Sequence, residues 1–358
     1  QVLKKNIQKQ TSLCYKKLSM SKKNSSVNLK NGFKDYKDLS NVFLNFKTKL
    51  NTLKKKKYVV AVSGGPDSLA LVALTKAYMF SKKTKFYYVL VDHNIRKNSS
   101  QEAKKVKNLL KKKNLNLKVI FNKKKISKNI QAEARNTRYE ILKNFCRKKN
   151  VKVILTAHNL EDQVETFLIR LSRGSGLKGL SSMKALSKIN NRVSLFRPLL
   201  DTQKKFLMKI SKTIFGKYFE DPSNKNKKYL RTKVRNLRKP LENSGIKYEK
   251  IFRSIQNLSH SKTTLEEFLN KIFKELIKEA NSEILINFKK YKNLNEDIKM
   301  AVINQSIKQL KNNYYDSRSK KVENLMINLE KKNFKNSTLG GCVFLKKGEY
   351  LCLKPEKR

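Results

Sequence analysis

Four strand-length apolar segments, each separated from the next by a helical stretch, constrain this chain more than any other feature. They are Tyr58 to Val62, Phe86 to Val91, Leu117 to Phe121 and Val151 to Thr156. Segments apolar along their length are the pattern of strands buried on both faces. Between them, Leu69 to Phe80, Gln101 to Lys112 and Ile130 to Lys148 carry helical spacing. Such alternation requires a parallel sheet with right-handed crossovers and helices on both sides. The expected fold class is α/β, a doubly wound parallel sheet.

Around this block the texture changes. Residues 1–54 are polar and rich in Lys, Ser and Asn, and read as a basic arm leading into one helix near Val42, Phe43, Leu44 and Phe46. Residues 55–242 form the α/β domain. Beyond Pro240 the strand signal fades, while Leu265 to Ile277 and Glu296 to Leu310 are helical in spacing. Residues 243–358 are therefore expected to be a mainly helical C-terminal domain. A terminal β-hairpin closes it, from Cys342–Leu345 and Tyr350–Leu353 around Gly348. Gly174, Gly176 and Gly179 suit a mobile loop rather than a packed element.

The 84 Lys and Arg face 27 Asp and Glu, a formal charge of +57, which polyanions find attractive. A genomic bias toward Lys and Asn is the alternative source of that excess, so charge supports nucleic acid without proving it. No apolar run nears the roughly 18 residues of a membrane span and no signal-peptide pattern opens the chain, so a soluble, cytoplasmic protein is expected. Cys14, Cys146, Cys342 and Cys352 form no CxxC pair, which argues against disulfide scaffolds and zinc ribbons. Gln1 in place of Met leaves the natural start open, with Met20 an alternative.

The loop Ser63, Gly64, Gly65, Pro66, Asp67, Ser68 joins the first strand to its helix, where an open parallel sheet binds its ligands. Glycines admit phosphate oxygens close to the backbone, serine hydroxyls donate, and the helix start points N–H groups inward. The lysine and spacing of a Walker A loop are absent. An acid, Asp67, stands there instead, which suits a phosphate site only with magnesium between. A glycine turn with a capping Ser or Asp is the plainer alternative.

After the fourth strand come Thr156, Ala157, His158, Asn159, Leu160, Glu161, Asp162, Gln163, Val164, Glu165 and Thr166. Helical spacing places Glu161, Asp162 and Glu165 on neighbouring faces, where their repulsion calls for cations such as magnesium or a lysine substrate. The alternative is that Asn159 caps the helix, Asp162 answers it at N3, and the acids complement the helix dipole. His158 is given no proton-transfer role.

The hexapeptide resembles the SGGxDS signature of the PP-loop ATP pyrophosphatases, adenine nucleotide alpha hydrolase-like enzymes. The second block resembles the TAHxxDDQxET motif of the tRNA(Ile)-lysidine synthases within them. Further resemblances fall in order: Val91 to Arg96, Glu133 to Tyr139, Arg197 to Leu200, and Asp221 to Asn224. One departure is Glu161, where the family usually has aspartate.

The resemblance implies a ligase that adenylates a cytidine of tRNA(Ile) with a CAU anticodon and replaces the activated oxygen with L-lysine. Ser63 to Ser68 would cradle ATP, Asp67 and Asp162 would hold Mg2+, and Arg135 would stabilise the α-phosphate. Glu165 would orient or deprotonate the lysine amine, with Glu161 a helper. The missing CxxC argues against a thiolase relative. Arg231, Arg235 and Lys239 read as a basic stripe that tracks RNA phosphates. A homodimer is also entertained. The rivals are another PP-loop enzyme and a non-catalytic basic RNA-binding protein.

Overall fold

The computed structural model describes residues 37–80, 82–95, 98–122, 130–220, 229–280, 283–311, 319–331 and 333–356. The chain divides into two compact units, residues 1–258 and 259–358.

The first unit opens with helix α1 (Lys37–Thr52), then alternates β1 (Lys57–Val62), α2 (Pro66–Met79), β2 (Lys85–Asp92), α3 (Ser99–Lys111), β3 (Leu117–Phe121), α4 (Ile130–Lys149) and β4 (Val153–Leu155). There follow α5 (Leu160–Leu171), α6 (Leu177–Leu180), β5 (Leu186–Lys188), β6 (Ser194–Phe196), α7 (Lys204–Phe215), α8 (Leu230–Asn236) and α9 (Arg238–Asn243). The sheet order is β3-β2-β1-β4-β6-β5. All pairings are parallel except that of the edge strand β5 with β6. Strands β5 and β6 were not expected, because three-residue strands leave no periodic trace.

Alternation along β1 serves two layers. Tyr58, Val60 and Val62 join the core beneath α2 and α7, while Val59 belongs to the smaller cluster with Leu142 and Cys146 of α4. Helix α2 lies inside that larger core, with Leu69 to Leu74 at no more than 1% exposure. Helix α1 is packed rather than loose: Leu39, Phe46 and Leu50, on one helical stripe, enter the same core, and Tyr78 donates to Asn51 at 2.8 Å. The arm before it, residues 1–36, lies outside the described residues, as do Arg96 and Asp221 to Asn224.

Helix α10 (Tyr248–Leu276) runs from one unit into the next. The second unit holds β7 (Ile277–Ala280), β8 (Glu283–Asn287), α11 (Phe288–Lys292), α12 (Glu296–Leu310), α13 (Ser319–Glu330), β9 (Asn336–Leu339), β10 (Cys342–Lys347) and β11 (Tyr350–Pro355). The expected hairpin exists, with Leu345 opposite Cys352 and Gly348 at φ 56° in the turn. It is part of a five-stranded antiparallel sheet, order β7-β8-β11-β10-β9, not a lone appendage to helices. The polar strand Asn336–Leu339 and the β7 segment abutting α10 carry no apolar alternation to betray them. Phe344, Leu351 and Leu353 pack there with Val302, Ile303 and Val322.

Leu74 is wholly buried in the first core. Leu74→Ala is expected to cost about 3 kcal/mol in urea unfolding; a loss below about 1 kcal/mol would contradict this packing.

Candidate active site

Chain reversal at the end of β1 builds the first half of the site. Gly64 has φ 86°, and a Cβ there would lie 2.5 Å from Val106 Cγ2, so both conformation and space demand glycine. Gly65 precedes the first turn of α2 and Pro66 opens it, with φ preset for a helix. Ser68 is buried, and its hydroxyl accepts from the Ser63 and Gly64 amides at 3.2 and 3.1 Å while donating to the Gly65 carbonyl. In this arrangement Ser68 shapes the cradle, and the hydroxyl of the exposed Ser63 donates to Ser68 Oγ at 3.1 Å. The Phe219 amide donates to Gly64 O and the Ser211 hydroxyl to Pro66 O, tying the loop to α7 and the chain after it.

The second half follows β4, which pairs directly with β1 through Val59–Ile154 and Val60–Leu155. Asn159 and Asp162 form the capping box at 3.0 and 3.1 Å, the plainer alternative read from the sequence. Capping uses Oδ2 of Asp162 only; Oδ1 takes Arg231 at 3.0 Å. Glu165, 4% exposed, receives Arg231 Nε and Arg235 Nε at 2.6 Å each. Glu161 accepts the Lys204 amide at 2.9 Å, capping α7, and pairs with Arg238 at 3.2 Å.

The acids of α5 are thus neutralised by the chain's own arginines. Arg231 and Arg235, read from their spacing as a basic stripe, are turned by α8 onto α5, where the buried Glu165 carboxylate takes one guanidinium on each oxygen. This signal was present as three acids facing three arginines of like spacing, but pairing across 70 residues is not legible in one sequence. Glu161 is an anchor for Arg238 and α7.

Asp67 joins the halves. Burial pushes its carboxyl up to about 7, opposed by Lys204 and a hydrogen bond from Asn159 and reinforced by the charges of Asp162 and Glu161. Its Oδ1 is buried and accepts no hydrogen bond. An acceptor without a donor, beside a second carboxylate, fits a hard cation. Among the described residues no three His, Cys, Asp or Glu side chains converge as a metal cage. A carboxylate pair is nevertheless the donor set suited to magnesium that keeps water and substrate phosphates as its other ligands. Lys204 went unnoticed in the sequence, since a lysine among 84 Lys and Arg carries no signal.

Arg135 is exposed in the first turns of α4, its guanidinium 5.2 Å from the Tyr139 ring centroid. It lies within electrostatic range of His158, whose pKa is pushed down to about 3 by burial and by Arg197, Arg135, Arg231 and Arg138. His158 is therefore neutral at physiological pH and bonded to Thr156 Oγ1 at 2.9 Å. The glycine-rich segment is not a free loop: α6 forms within it, and Arg170 holds the Gly179 and Ser182 carbonyls at 2.6 and 3.1 Å.

A model of the PP-loop domain matches residues 38–241. The tRNA(Ile)-lysidine synthase of Wolbachia pipientis wMel is 34% identical over 299 residues, 82% of this chain and 69% of that protein. The tRNA(Ile)-lysidine synthase of Orientia tsutsugamushi (strain Boryong) is 40% identical over 188 residues, 52% of this chain and 42% of that one. The U34-tRNA thiolase NcsA from Methanococcus maripaludis superposes with a TM-score of 0.53 at 17% identity, covering 62% of this chain and 78% of that one, and shares the fold.

Two outcomes follow from the cradle. Gly64→Ala is expected to lower ATP affinity at least about tenfold in titration calorimetry, because the loop must open around the new methyl; unchanged affinity would contradict its close approach to Val106. A carboxyl raised to about 7 stabilises the fold below the ordinary aspartate pKa and loses that advantage as pH rises through 7. Without metal, Asp67→Asn should therefore melt higher than the parent at pH 8, by a few degrees, with the gap closing below about pH 4. A gap that does not change with pH would refute the burial assigned to Asp67.

Proposed function

This chain belongs to the PP-loop ATPases and, within them, to the tRNA(Ile)-lysidine synthases, and from that premise we propose how its crevice between β1 and β4 makes lysidine. The enzyme is an ATP-dependent ligase that joins lysine to C2 of the wobble cytidine in the CAU anticodon of tRNA(Ile), releasing AMP and pyrophosphate. One observation carries the assignment of the site: the phosphate cradle and the acid-capped helix leave adjacent paired strands, so that Asp67 feels the charge of Asp162.

A cytosine carbonyl oxygen is a poor leaving group, and activating it is the central task. The oxygen attacks the α-phosphorus of ATP, an O–P bond forms, and the bond to the β-phosphate breaks with loss of pyrophosphate. The lysine ε-amine then attacks C2, its proton is lost, and the C–O bond breaks to release AMP. Ser63, Gly64, Gly65, Pro66 and Ser68 hold the phosphates against the start of α2. Asp67 and Asp162 would hold Mg2+, which when bound supplies charge neutralisation to the triphosphate. Arg135 stabilises negative charge developing on the α-phosphate.

The acidic face of α5 attracts the ammonium of lysine in competition with Arg231 and Arg235. Since both oxygens of Glu165 already carry an arginine, its first role is to position those guanidiniums, and it meets the amine only where one of them yields. In the second unit an open hollow of about 300 Å³ is lined by Lys321, Asn324, Asn328, Thr338 and Gly341. Lys321 and the amides of Asn324 and Asn328 offer donors there beside the Glu356 carboxylate, and we assign this unit to gripping the tRNA away from the anticodon. Among the described residues no helix is long and apolar enough to cross a membrane, and the cytoplasm, which holds ATP and tRNA, is the proposed location.

The test is incorporation of labelled lysine into a tRNA with a CAU anticodon. Asp67→Asn should reduce pyrophosphate release about 100-fold or more while tRNA affinity stays within about twofold. Full turnover by that variant, or equal labelling of a tRNA with another anticodon, would overturn the reading.

A further inference from the structure

The loop after β1 lacks the lysine that a Walker A loop would carry, yet the fold brings an ammonium to its side from a distant part of the chain. Lys204 opens α7. Its amide donates to Glu161 Oε2 at 2.9 Å, and the Leu160 amide donates to Thr202 O at 3.1 Å, so the start of α7 is stitched to the start of α5. Two turns further on, the Ser211 hydroxyl donates to Pro66 O at the start of α2. Residues three and seven apart share a helical face, which puts Lys204, Leu207 and Ser211 on the stripe of α7 that meets α2. Leu207 is fully buried there in the core with Leu69 and Leu71. Lys204 is half-buried at the end of that stripe, whereas the next residue, Lys205, is exposed.

Burial apart, no charge acts on Asp67 as strongly as that of Lys204. The two do not pair directly. Among the described residues no carboxylate lies within ion-pair distance of the Lys204 ammonium, and Asp67 Oδ1 has no hydrogen-bond partner. Glu161 is already engaged, Oε1 by Arg238 and Oε2 by the Lys204 amide. An acid and an ammonium thus stand at one cradle without neutralising each other by contact. Such a pair suits a ligand that carries both signs, the cation of a metal-bound triphosphate for the acid and its phosphate oxygens for the ammonium.

We propose that Lys204 is a phosphate-binding residue of the ATP site, its ammonium holding the β- and γ-phosphates as pyrophosphate leaves. The proposal rests on the lysidine-synthase reading. When the cytidine oxygen attacks the α-phosphorus, the electron pair of the breaking P–O bond stays with the bridging oxygen, and negative charge on the departing pyrophosphate rises. Backbone N–H groups and serine hydroxyls of the cradle donate hydrogen bonds but carry no net charge. A compact ammonium supplies it, and is worth most where charge develops. Glu161 acts here through the backbone, by fixing the residue that carries the ammonium. A phosphate of the RNA is the competing source of the same chemistry.

The experiment uses the full chain with Mg2+ throughout. Binding of ATP, pyrophosphate and AMP is measured by calorimetry, binding of a tRNA with a CAU anticodon by anisotropy without nucleotide, and pyrophosphate release in a single turnover. Lys204→Met keeps the backbone bond to Glu161. It is expected to weaken ATP and pyrophosphate about tenfold, to leave AMP and tRNA within about twofold, and to slow release about 100-fold. Lys204→Arg should recover most of both losses, and Lys205→Met should match the parent. Equal losses for AMP and ATP would show a distorted cradle instead of a lost phosphate contact and would overturn the proposal. Weakened tRNA binding with pyrophosphate binding intact, or no change in binding and release, would overturn it too. Should Lys204→Met fail to fold by circular dichroism, Lys204→Gln carries the same test. A parent that releases pyrophosphate with this tRNA while Lys204→Met matches it sinks this inference only; a parent that releases none sinks the underlying function.

Discussion

Parallel pairing of β1 with β4 is the constraint on which the chemistry depends. The two motifs are separated by some 90 residues of sequence, yet Val60 lies opposite Leu155, so the chain leaving each strand enters the same crevice. Reversal of strand order at this point in a doubly wound sheet opens that crevice, since the β1–β2 crossover helix α2 and the β3–β4 crossover helix α4 pack on different faces. Ligand binding there is a consequence of topology. What this chain adds is the pairing of a glycine cradle with an acid on one side and an acid-rich helix start on the other.

That concentration of carboxylates has an electrostatic cost, and the chain meets it with arginines. Glu165 is nearly fully buried and would be unstable without the forks of Arg231 and Arg235. Arg238 does the same for Glu161 while lying over Tyr248, 4.9 Å from its ring centroid. Beside them Asp67 has no ion pair with an arginine among the described residues, and its Oδ1 is left without a donor. Full pairing elsewhere makes the unpaired oxygen informative: the fold satisfies the acids that hold structure and leaves open the one that faces the cradle.

Much of this was legible in the residues. Uniformly apolar strands such as Tyr58 to Val62 disclosed the parallel sheet, since burial on both faces leaves no polar alternation. Gly64 disclosed the cradle, because few other residues tolerate φ 86° or so close an approach to Val106. Short strands and long-range ion pairs stayed hidden. Ser194–Phe196 is too brief for a period, and α1 looked like part of a polar arm because its stripe of Leu39, Phe46 and Leu50 is diluted by lysine and asparagine. Arg231 and Arg235 read as a surface stripe because sequence shows the spacing of charges but not the acid that each will meet. Five strands in the second unit were reduced to one hairpin for a similar reason: Asn336–Leu339 is paired through its backbone, and its side chains are polar.

The central claim is that RNA, and not the amino acid, receives the adenylyl group in the crevice between β1 and β4. It is tested most directly by measuring pyrophosphate release from ATP in a single turnover with lysine withheld, in the presence and absence of tRNA bearing a CAU anticodon. RNA-dependent release, approaching one pyrophosphate per tRNA, is the result predicted. Release that requires lysine, or that proceeds equally without RNA, would contradict it.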